Sequence, residues 1–329
     1  MIVVGCGPAG ATAARVAAER GLSVMIVDRR RSIGAPPRCG GYVPAWLRPR
    51  TAFDDSAILQ EVDGIRLVGG VVREIIAPGF ILDRTRFDKN LAIHALEAGA
   101  DLAQALVLRR EGMRVVGRRN GLVADFSAQF IVGADGPYSI VGRSVGLANQ
   151  HFLATMQYEV GMRVANAWLE FHHLEGEIAW FVPCGRTARI GVGVPRARAR
   201  QLKSLLNHFL AQQVADGCVF DGVLSCTGGL LPINGPLESA RAGHVLLTGD
   251  AGGFSEPFSG AGIASAVVGG ELAGDLIGEA INQPDVLGDY DTELKTRMPE
   301  GFSGYAPDVV HLTDRLSQVA TWCPPMIDI

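Results

Sequence analysis

Three glycine-rich turns, met in a fixed order along 329 residues, constrain the fold of this chain more than any other feature. The first is Gly5-Cys6-Gly7-Pro8-Ala9-Gly10, set between the apolar run Ile2 to Val4 and the small-residue stretch Ala11 to Arg20. The second, Gly133-Ala134-Asp135-Gly136, follows Phe130 to Val132 and runs on through Pro137 and Tyr138 to Ser139. The third, Gly249-Asp250-Ala251-Gly252, follows Val245-Leu246-Leu247 and leads into Pro257-Phe258-Ser259-Gly260-Ala261-Gly262. Each reads as a strand, a tight turn and a helix start, the geometry that brings backbone N–H groups against a phosphate or another anion. Asp28, closing the second strand, is placed to accept hydrogen bonds from ribose hydroxyls. One such turn is a weak signal. Three in this order point to FAD held along its whole length.

Composition narrows the class. A hydrophobic fraction of 48% and 42 glycines suit a globular enzyme with a buried core and many turns. A formal net charge of −4 gives no reason to expect nucleic acid as a partner. No apolar run reaches the roughly 20 residues that cross a bilayer. The nearest, Gly260 to Ile281, is interrupted by Glu271, Asp275 and Glu279, and Met1 opens directly on the first strand, so the expected location is cytoplasmic. Cys6, Cys39, Cys184, Cys218, Cys226 and Cys323 include no CxxC pair and no zinc spacing with histidine. Free thiols and no metal are expected.

The periodicities predict helices over 9–20, 85–98, 198–215 and 260–282 and short strands over 64–68, 71–76 and 80–82. From Thr155 to Val194 the pattern alternates as strands do. The expected fold class is α/β: a Rossmann-like FAD-binding domain with an inserted antiparallel-sheet substrate domain. The expected division is 1–60, 84–150 and 235–282 for the FAD-binding domain, 61–83 and 151–234 for the substrate domain, and 283–329 for a short helical tail.

Further segments carry a resemblance. Gly34-Ala35-Pro36-Pro37-Arg38-Cys39-Gly40, Asp83-Arg84-Thr85-Arg86-Phe87-Asp88 and Ala179-Trp180-Phe181-Val182-Pro183, with Gly191-Val192-Gly193 beyond, accompany the glycine turns. Together they resemble the geranylgeranyl reductase family, within the FAD-dependent superfamily of para-hydroxybenzoate hydroxylase (GR2 type). The resemblance runs from Met1 to about Asn282. An aromatic that usually precedes the tryptophan is replaced here by Ile178 or Ala179. By this resemblance Gly5, Gly7, Pro8, Ala9, Gly10, Asp28, Arg29, Cys39, Gly40, Tyr42, Arg84 and the backbone of Leu108 would lie along the FAD. Asp135, Gly249, Asp250 and Pro257 would approach its middle, and Gly260, Gly262 and Ile263 the isoalloxazine ring. A helix beginning near Gly260 would turn its positive end to the ring edge where charge gathers on reduction. Asp135 and Ser139 read equally as a helix N-cap.

The chemistry that this implies is hydride transfer from reduced flavin N5 to a carbon–carbon double bond of an isoprenoid or other apolar substrate. Cys39 and Tyr42 are the candidate acids, although Cys39 reads also as backbone and packing beside the cofactor. Trp180, Phe181 and Pro183 would line an apolar channel, or else fill the core of the inserted sheet. No second GxGxxG stands between a strand and a helix, so the electron donor is NAD(P)H bound transiently, ferredoxin or a quinone. Peripheral membrane contact would follow from an apolar substrate. A flavin monooxygenase and a non-catalytic electron-transfer protein are the competing readings. A flavin halogenase fits less well, because Ile178 stands where that family has a tryptophan, and Lys89 is poorly placed for its lysine.

Overall fold

The computed structural model describes residues 1–298 apart from 70, 175, 176 and 258, together with 322 and 324. The rest of the expected tail, Cys323 included, and Phe258 lie outside the described residues. Along the chain come β1 (Ile2–Val4), α1 (Pro8–Glu19), β2 (Met25–Asp28), β3 (Tyr42–Pro44) and α2 (Leu47–Thr51). Next are β4 (Ile58–Val68), β5 (Arg73–Leu82), α3 (Arg84–Glu97), β6 (Asp101–Gln104), β7 (Leu106–Glu111), β8 (Arg114–Arg119) and β9 (Leu122–Ser127). Then follow β10 (Ile131–Gly133), α4 (Ile140–Ser144), β11 (Phe152–Met162), β12 (Trp168–Leu174), β13 (Glu177–Cys184), β14 (Thr187–Pro195) and α5 (Leu202–Ala215). The last are β15 (Val219–Pro232), β16 (Arg241–Ala242), β17 (Val245–Leu247), α6 (Ile263–Ala280) and α7 (Tyr290–Arg297).

The three apolar runs that precede the glycine turns are neighbours in one sheet. Its order is β16-β17-β10-β1-β2-β6, and β17, β10, β1, β2 and β6 are parallel. Such strands are covered on both faces, which is why Ile2, Val3, Ile26, Ile131 and Leu246 are all buried. This is a Rossmann-like α/β fold. A second sheet, in the order β15-β11-β14-β13-β12-β4-β5-β3, is antiparallel except where β4 meets β12. The meander β7-β8-β9 forms a third. The short strands expected over 64–82 are two long ones, joined with register shifts near Gln60 and Gly64 that the alternation alone did not reveal.

Two helices packed side by side organise the first sheet. A Cβ on Gly270 would lie 2.4 Å from the carbonyl oxygen of Ala9, one on Gly274 2.7 Å from that of Ala13, and one on Gly278 2.3 Å from Arg20 Cδ. The contacts advance together along both chains, so α1 and α6 run parallel, and three glycines let their backbones touch. The hydroxyl of Tyr290, fully buried, donates to the carbonyl of Leu247 at 2.8 Å and seats α7 on β17. Among the described residues no helix is long and apolar enough to cross a membrane.

The helix contact is testable. Helix propensity alone favours Gly270→Ala by about 1 kcal/mol, so any loss reports crowding against Ala9. Urea unfolding of Gly270→Ala is expected to show a net loss of about 2 kcal/mol. Gly288→Ala, where nothing lies within 4 Å of the added Cβ, should stay within about 0.5 kcal/mol of the parent.

Candidate functional site

The site begins at a single row of backbone. Val4 pairs with Gly133, and Gly133 with Leu247, so β1, β10 and β17 end in register and release their three glycine turns side by side. With strands about 4.8 Å apart, the three turns lie across about 10 Å. Gly5 has φ +102, and a Cβ there would meet the carbonyl oxygen of Ala134 at 2.2 Å. Gly10 is crowded in the same way by the carbonyl oxygen of Gly5, at 1.9 Å. Packing requires both glycines. Gly7 differs: nothing lies within 4 Å of its Cβ position.

Gly7 is also the N-cap of α1, with Pro8 in the first turn and no side chain capping the helix. Its N-terminal N–H groups therefore keep their positive end open. The same is true of α6, whose N-cap is Gly262 and whose first turn holds no acidic residue. Because the two helices are parallel, both poles face the same edge of the sheet. The start of α6 lies about 10 Å further on, at 1.5 Å per residue. An open cradle at Gly7 and two uncapped poles fit an elongated anionic cofactor, which is what a flavin dinucleotide requires.

The carboxylate of Asp28 is buried at the end of β2. It accepts from the N–H of Cys6 at 2.7 Å, from the N–H of Arg30 at 2.7 Å, and from the Arg30 guanidinium at 3.1 and 2.8 Å. Burial pushes its pKa up, but these donors prevail and hold it below the ordinary value. The arginine on Asp28 is therefore Arg30, while Arg29, expected along the cofactor, is exposed. Leu108 is passed over in the register between β7 and β8, where a bulge leaves its backbone without a ladder partner.

Asp135 serves as a cap. It accepts from Ser139 Oγ at 2.5 Å and from the N–H of Ile140 at 2.7 Å, so its carboxylate is taken up in starting α4. The second and third turns are tied together by Asn149, which donates to the carbonyls of Pro137 at 3.2 Å and Asp250 at 2.8 Å. Gly249, with φ +61, brings the third turn onto Ala9. Ser255 Oγ donates to Asp250 at 2.7 Å; burial nevertheless pushes the Asp250 pKa up, against Ser255 and the charge of Arg84. Pro257 is buried just beyond.

The helix expected from Gly260 starts later, at Ile263. Gly260 has φ +70 and cannot join it, and Ser259 Oγ donates to the buried Glu256 at 2.6 Å, closing a turn before the helix.

The other wall is the second sheet. A Cβ on Gly260 would lie 2.8 Å from Leu231 of β15, and one on Gly40 3.1 Å from Val182 of β13. Both turns thus touch one face. The register carries that face from Leu231 to Leu153, then along β11 and β14 to Gly191 and to Trp180 opposite it. The indole of Trp180 lies over Gly191, whose Cβ would meet it at 2.2 Å, and its N–H has no hydrogen-bond partner among the described residues.

Phe181 points the other way, into the core under α5 with Leu206 and Phe209, and Pro183 shares that side opposite Ala188. Neither lines this face, which corrects the channel expected from sequence. Strand alternation puts residues 180 and 181 on opposite sides.

Cys39 sits in the turn between, and Arg84, from the start of α3, is paired with Asp88 at 2.8 and 3.0 Å within electrostatic reach of Cys39. Burial works against the Arg84 charge, but Asp88 and Cys39 outweigh it and its pKa is raised. Tyr42 is built into the sheet: its hydroxyl donates to the carbonyl of Ala77 at 3.0 Å, and burial pushes its pKa up. Its proton is thereby engaged by a backbone carbonyl.

Asp28 and Asp250 make opposite predictions for pH. Asp28 is depressed from its ordinary 3.8, so its contribution is full above that value and is lost as the pH falls through the folded-state pKa. Asp28→Asn should cost about 2 kcal/mol at pH 7, and the difference should shrink below pH ~4. Asp250 is raised, so its ionised form weighs on the apoprotein at neutral pH. Asp250→Asn should raise the apoprotein melting temperature at pH 7 and not at pH ~3. Thermal melts across pH check both signs.

Residues 3–47 match the NAD(P)-binding Rossmann-like domain family. The chain is 32% identical to digeranylgeranylglycerophospholipid reductase 1 of Methanopyrus kandleri, over 92% of this chain and 86% of that protein. In structure it resembles a geranylgeranyl bacteriochlorophyll reductase-like protein of Thermoplasma acidophilum, with a TM-score of 0.79, 28% identity, and coverage of 89% of this chain and 81% of the other. A flavin-dependent brominase shares the fold at a TM-score of 0.74 and 16% identity, covering 90% of this chain and 83% of the other. By that likeness over nearly its whole length, the chain belongs to the geranylgeranyl reductase family and is a flavin-dependent oxidoreductase.

Proposed function

We propose that this protein binds FAD and reduces carbon–carbon double bonds in the prenyl chains of an isoprenoid lipid. The observation that carries the reading is that the Cys39–Gly40 turn and the Gly260 turn before α6 both touch the sheet face bearing Trp180. A flat ring reached by the pole of α6 would there look onto an indole and the side chains of Ile178, Val182 and Leu231. The relative from Methanopyrus kandleri is named for the reduction of a digeranylgeranyl lipid, which supports the same substrate class.

When bound, the reduced flavin supplies a hydride to one alkene carbon while the other carbon takes a proton, so that each double bond gains two hydrogens. The residues of the chain hold and orient. Gly7 and the α1 terminus would receive the pyrophosphate, Asp28 with Arg30 the adenosine ribose, the bulged backbone at Leu108 the adenine, and Asp250 the ribityl chain. The α6 terminus favours the negative charge that reduction brings, and Gly260 and Gly262 allow close approach. Cys39, in the turn that meets the substrate sheet, would deliver or direct the proton.

Residues 1–60, 84–150 and 235–282 form the cofactor domain in this reading, and 61–83 and 151–234 the substrate domain. Electrons come from outside the chain, from transient NAD(P)H, ferredoxin or a quinone. A lipid substrate would draw the protein to the membrane surface.

The test is anaerobic. Purified protein loaded with FAD and reduced by dithionite should add 2 Da per double bond to a geranylgeranylated glycerophospholipid, read by mass spectrometry. A product 16 Da heavier that requires oxygen and NAD(P)H would establish a monooxygenase in its place. Protein that refuses added FAD would defeat the proposal altogether. Cys39→Ala should lower kcat by about 10² if the thiol moves the proton, and by less than about threefold if it only packs.

A further inference from the structure

One buried cation takes no part in the site as described so far. Arg189 lies on β14 and is 7% exposed. In the register it stands opposite Val182, on the face that carries Trp180. Its Nη1 donates to the carbonyl of Gly40 at 2.9 Å and lies 3.3 Å from that of Leu82 and 3.5 Å from that of Cys39. Every hydrogen-bond acceptor of its guanidinium among the described residues is thus a backbone carbonyl.

A charge taken out of water needs compensation; here the hydrogen bonds come from peptide carbonyls, while Glu159 stands opposite Arg189 in the register of β11. The approach is possible because residue 41 is glycine, with φ +94. A Cβ there would lie 2.9 Å from Arg189 Nη1 and 2.8 Å from the carbonyl oxygen of Leu82. The N–H of Leu82 donates in turn to the carbonyl of Gly41 at 2.9 Å. One guanidinium therefore fastens β14 to the end of β5 and to the turn that presents Cys39. Arg84 is a further cation within electrostatic reach of the same cysteine. The turn has no strand of its own over 38–41 to hold it there.

We infer that Arg189 is a positioning residue for the reaction: it fixes the Cys39–Gly40 turn against the substrate sheet, at the level where the double bond lies. The inference rests on the alkene-reductase reading for the nature of the reaction, but the clamp itself has a readout that needs no substrate. Arg189 reaches the reacting atoms only through Cys39 and Gly40. Its loss should loosen that turn and leave the glycine turns of the cofactor cradle in place.

The experiment compares Arg189→Met and Arg189→Lys with the parent as holoenzymes. Alkylation of each cysteine by iodoacetamide is followed by site-resolved mass spectrometry, and kcat per bound flavin and KM are measured on a geranylgeranylated lipid. In Arg189→Met, Cys39 should alkylate about tenfold faster while Cys6, buried at the first glycine turn, keeps its parent rate. The kcat per flavin should fall by about tenfold with KM within about threefold, and Arg189→Lys should restore most of both. Cys39 alkylation at the parent rate overturns the inference. So does a parallel rise at Cys6, which would mean general loosening. Should the methionine variant not fold, Arg189→Gln takes its place: it removes both the charge and the fork, and an unchanged Cys39 rate and kcat per flavin would overturn the clamp. A parent enzyme that reduces no prenyl chain defeats the functional reading and leaves the alkylation result standing.

Discussion

The site depends on the parallel register of β1, β10 and β17. Because Val4, Gly133 and Leu247 stand in one row, three turns far apart in sequence leave the sheet at the same height. A shift of any one strand by two residues would move its turn by about 7 Å along the strand direction and break the continuity of the cradle. The register is itself held by burial on both faces, with Val3, Ile26, Val132 and Leu246 inaccessible to solvent. Parallel strands buried in this way tolerate no polar substitution, so the strongest packing in the chain lies directly beneath its most exposed chemistry.

The two helix poles follow from that frame. The stripe Gly270, Gly274 and Gly278 lets α6 lie against α1 at backbone contact, which keeps the helices parallel and their N-terminal ends on one side. Neither pole is capped by a side chain, and the chain instead leaves the positive ends to a ligand. The same economy shows in Asp250, whose carboxylate is pushed up by burial and has Ser255 as its hydrogen-bond donor. A group poorly solvated in the apoprotein is one that gains from a ligand hydroxyl. In the proposed site Asp250 would gain a donor on binding, whereas Asp28 is already satisfied by Cys6 and Arg30 and holds the first turn closed.

The second sheet contributes a wall rather than a cradle. Its outer side is sealed by α5 over Phe181 and Leu206, and its inner side is met by the turns at Gly40 and Gly260. The space between is bounded by loops that carry no ladder hydrogen bonds of their own, which is why single polar contacts matter there. Arg189 at Gly40 and Glu256 at Ser259 each hold one such loop.

Much of this was legible in the sequence, and for local reasons. A strand followed by Gly-x-Gly-x-x-Gly is a statement about neighbouring residues, so the cofactor turns, α1, α3 and the order of the motifs could be read directly. The start of α6 was misplaced because Gly260 is a helix breaker only when its φ is positive, and a neighbouring carboxylate, Glu256, imposes that. The face of Phe181 was beyond reading from sequence, because β13 is apolar on both sides, with Ile178, Trp180 and Val182 on one and Ala179 and Phe181 on the other. Alternation then separates two faces without saying which is covered by a helix. Asn149 between the second and third turns and Arg189 on the Cys39 turn left no local signal, since each acts on backbone brought near only by the fold, whereas Arg30 lies two residues from Asp28 and only its side-chain direction had to come from the structure. The sequence by itself determined which chemistry the chain is built around, because glycine and aspartate spacing is a local property; the tertiary structure alone decided which side chains stand at that chemistry, because long-range packing chooses the face of each strand and the partner of each buried charge.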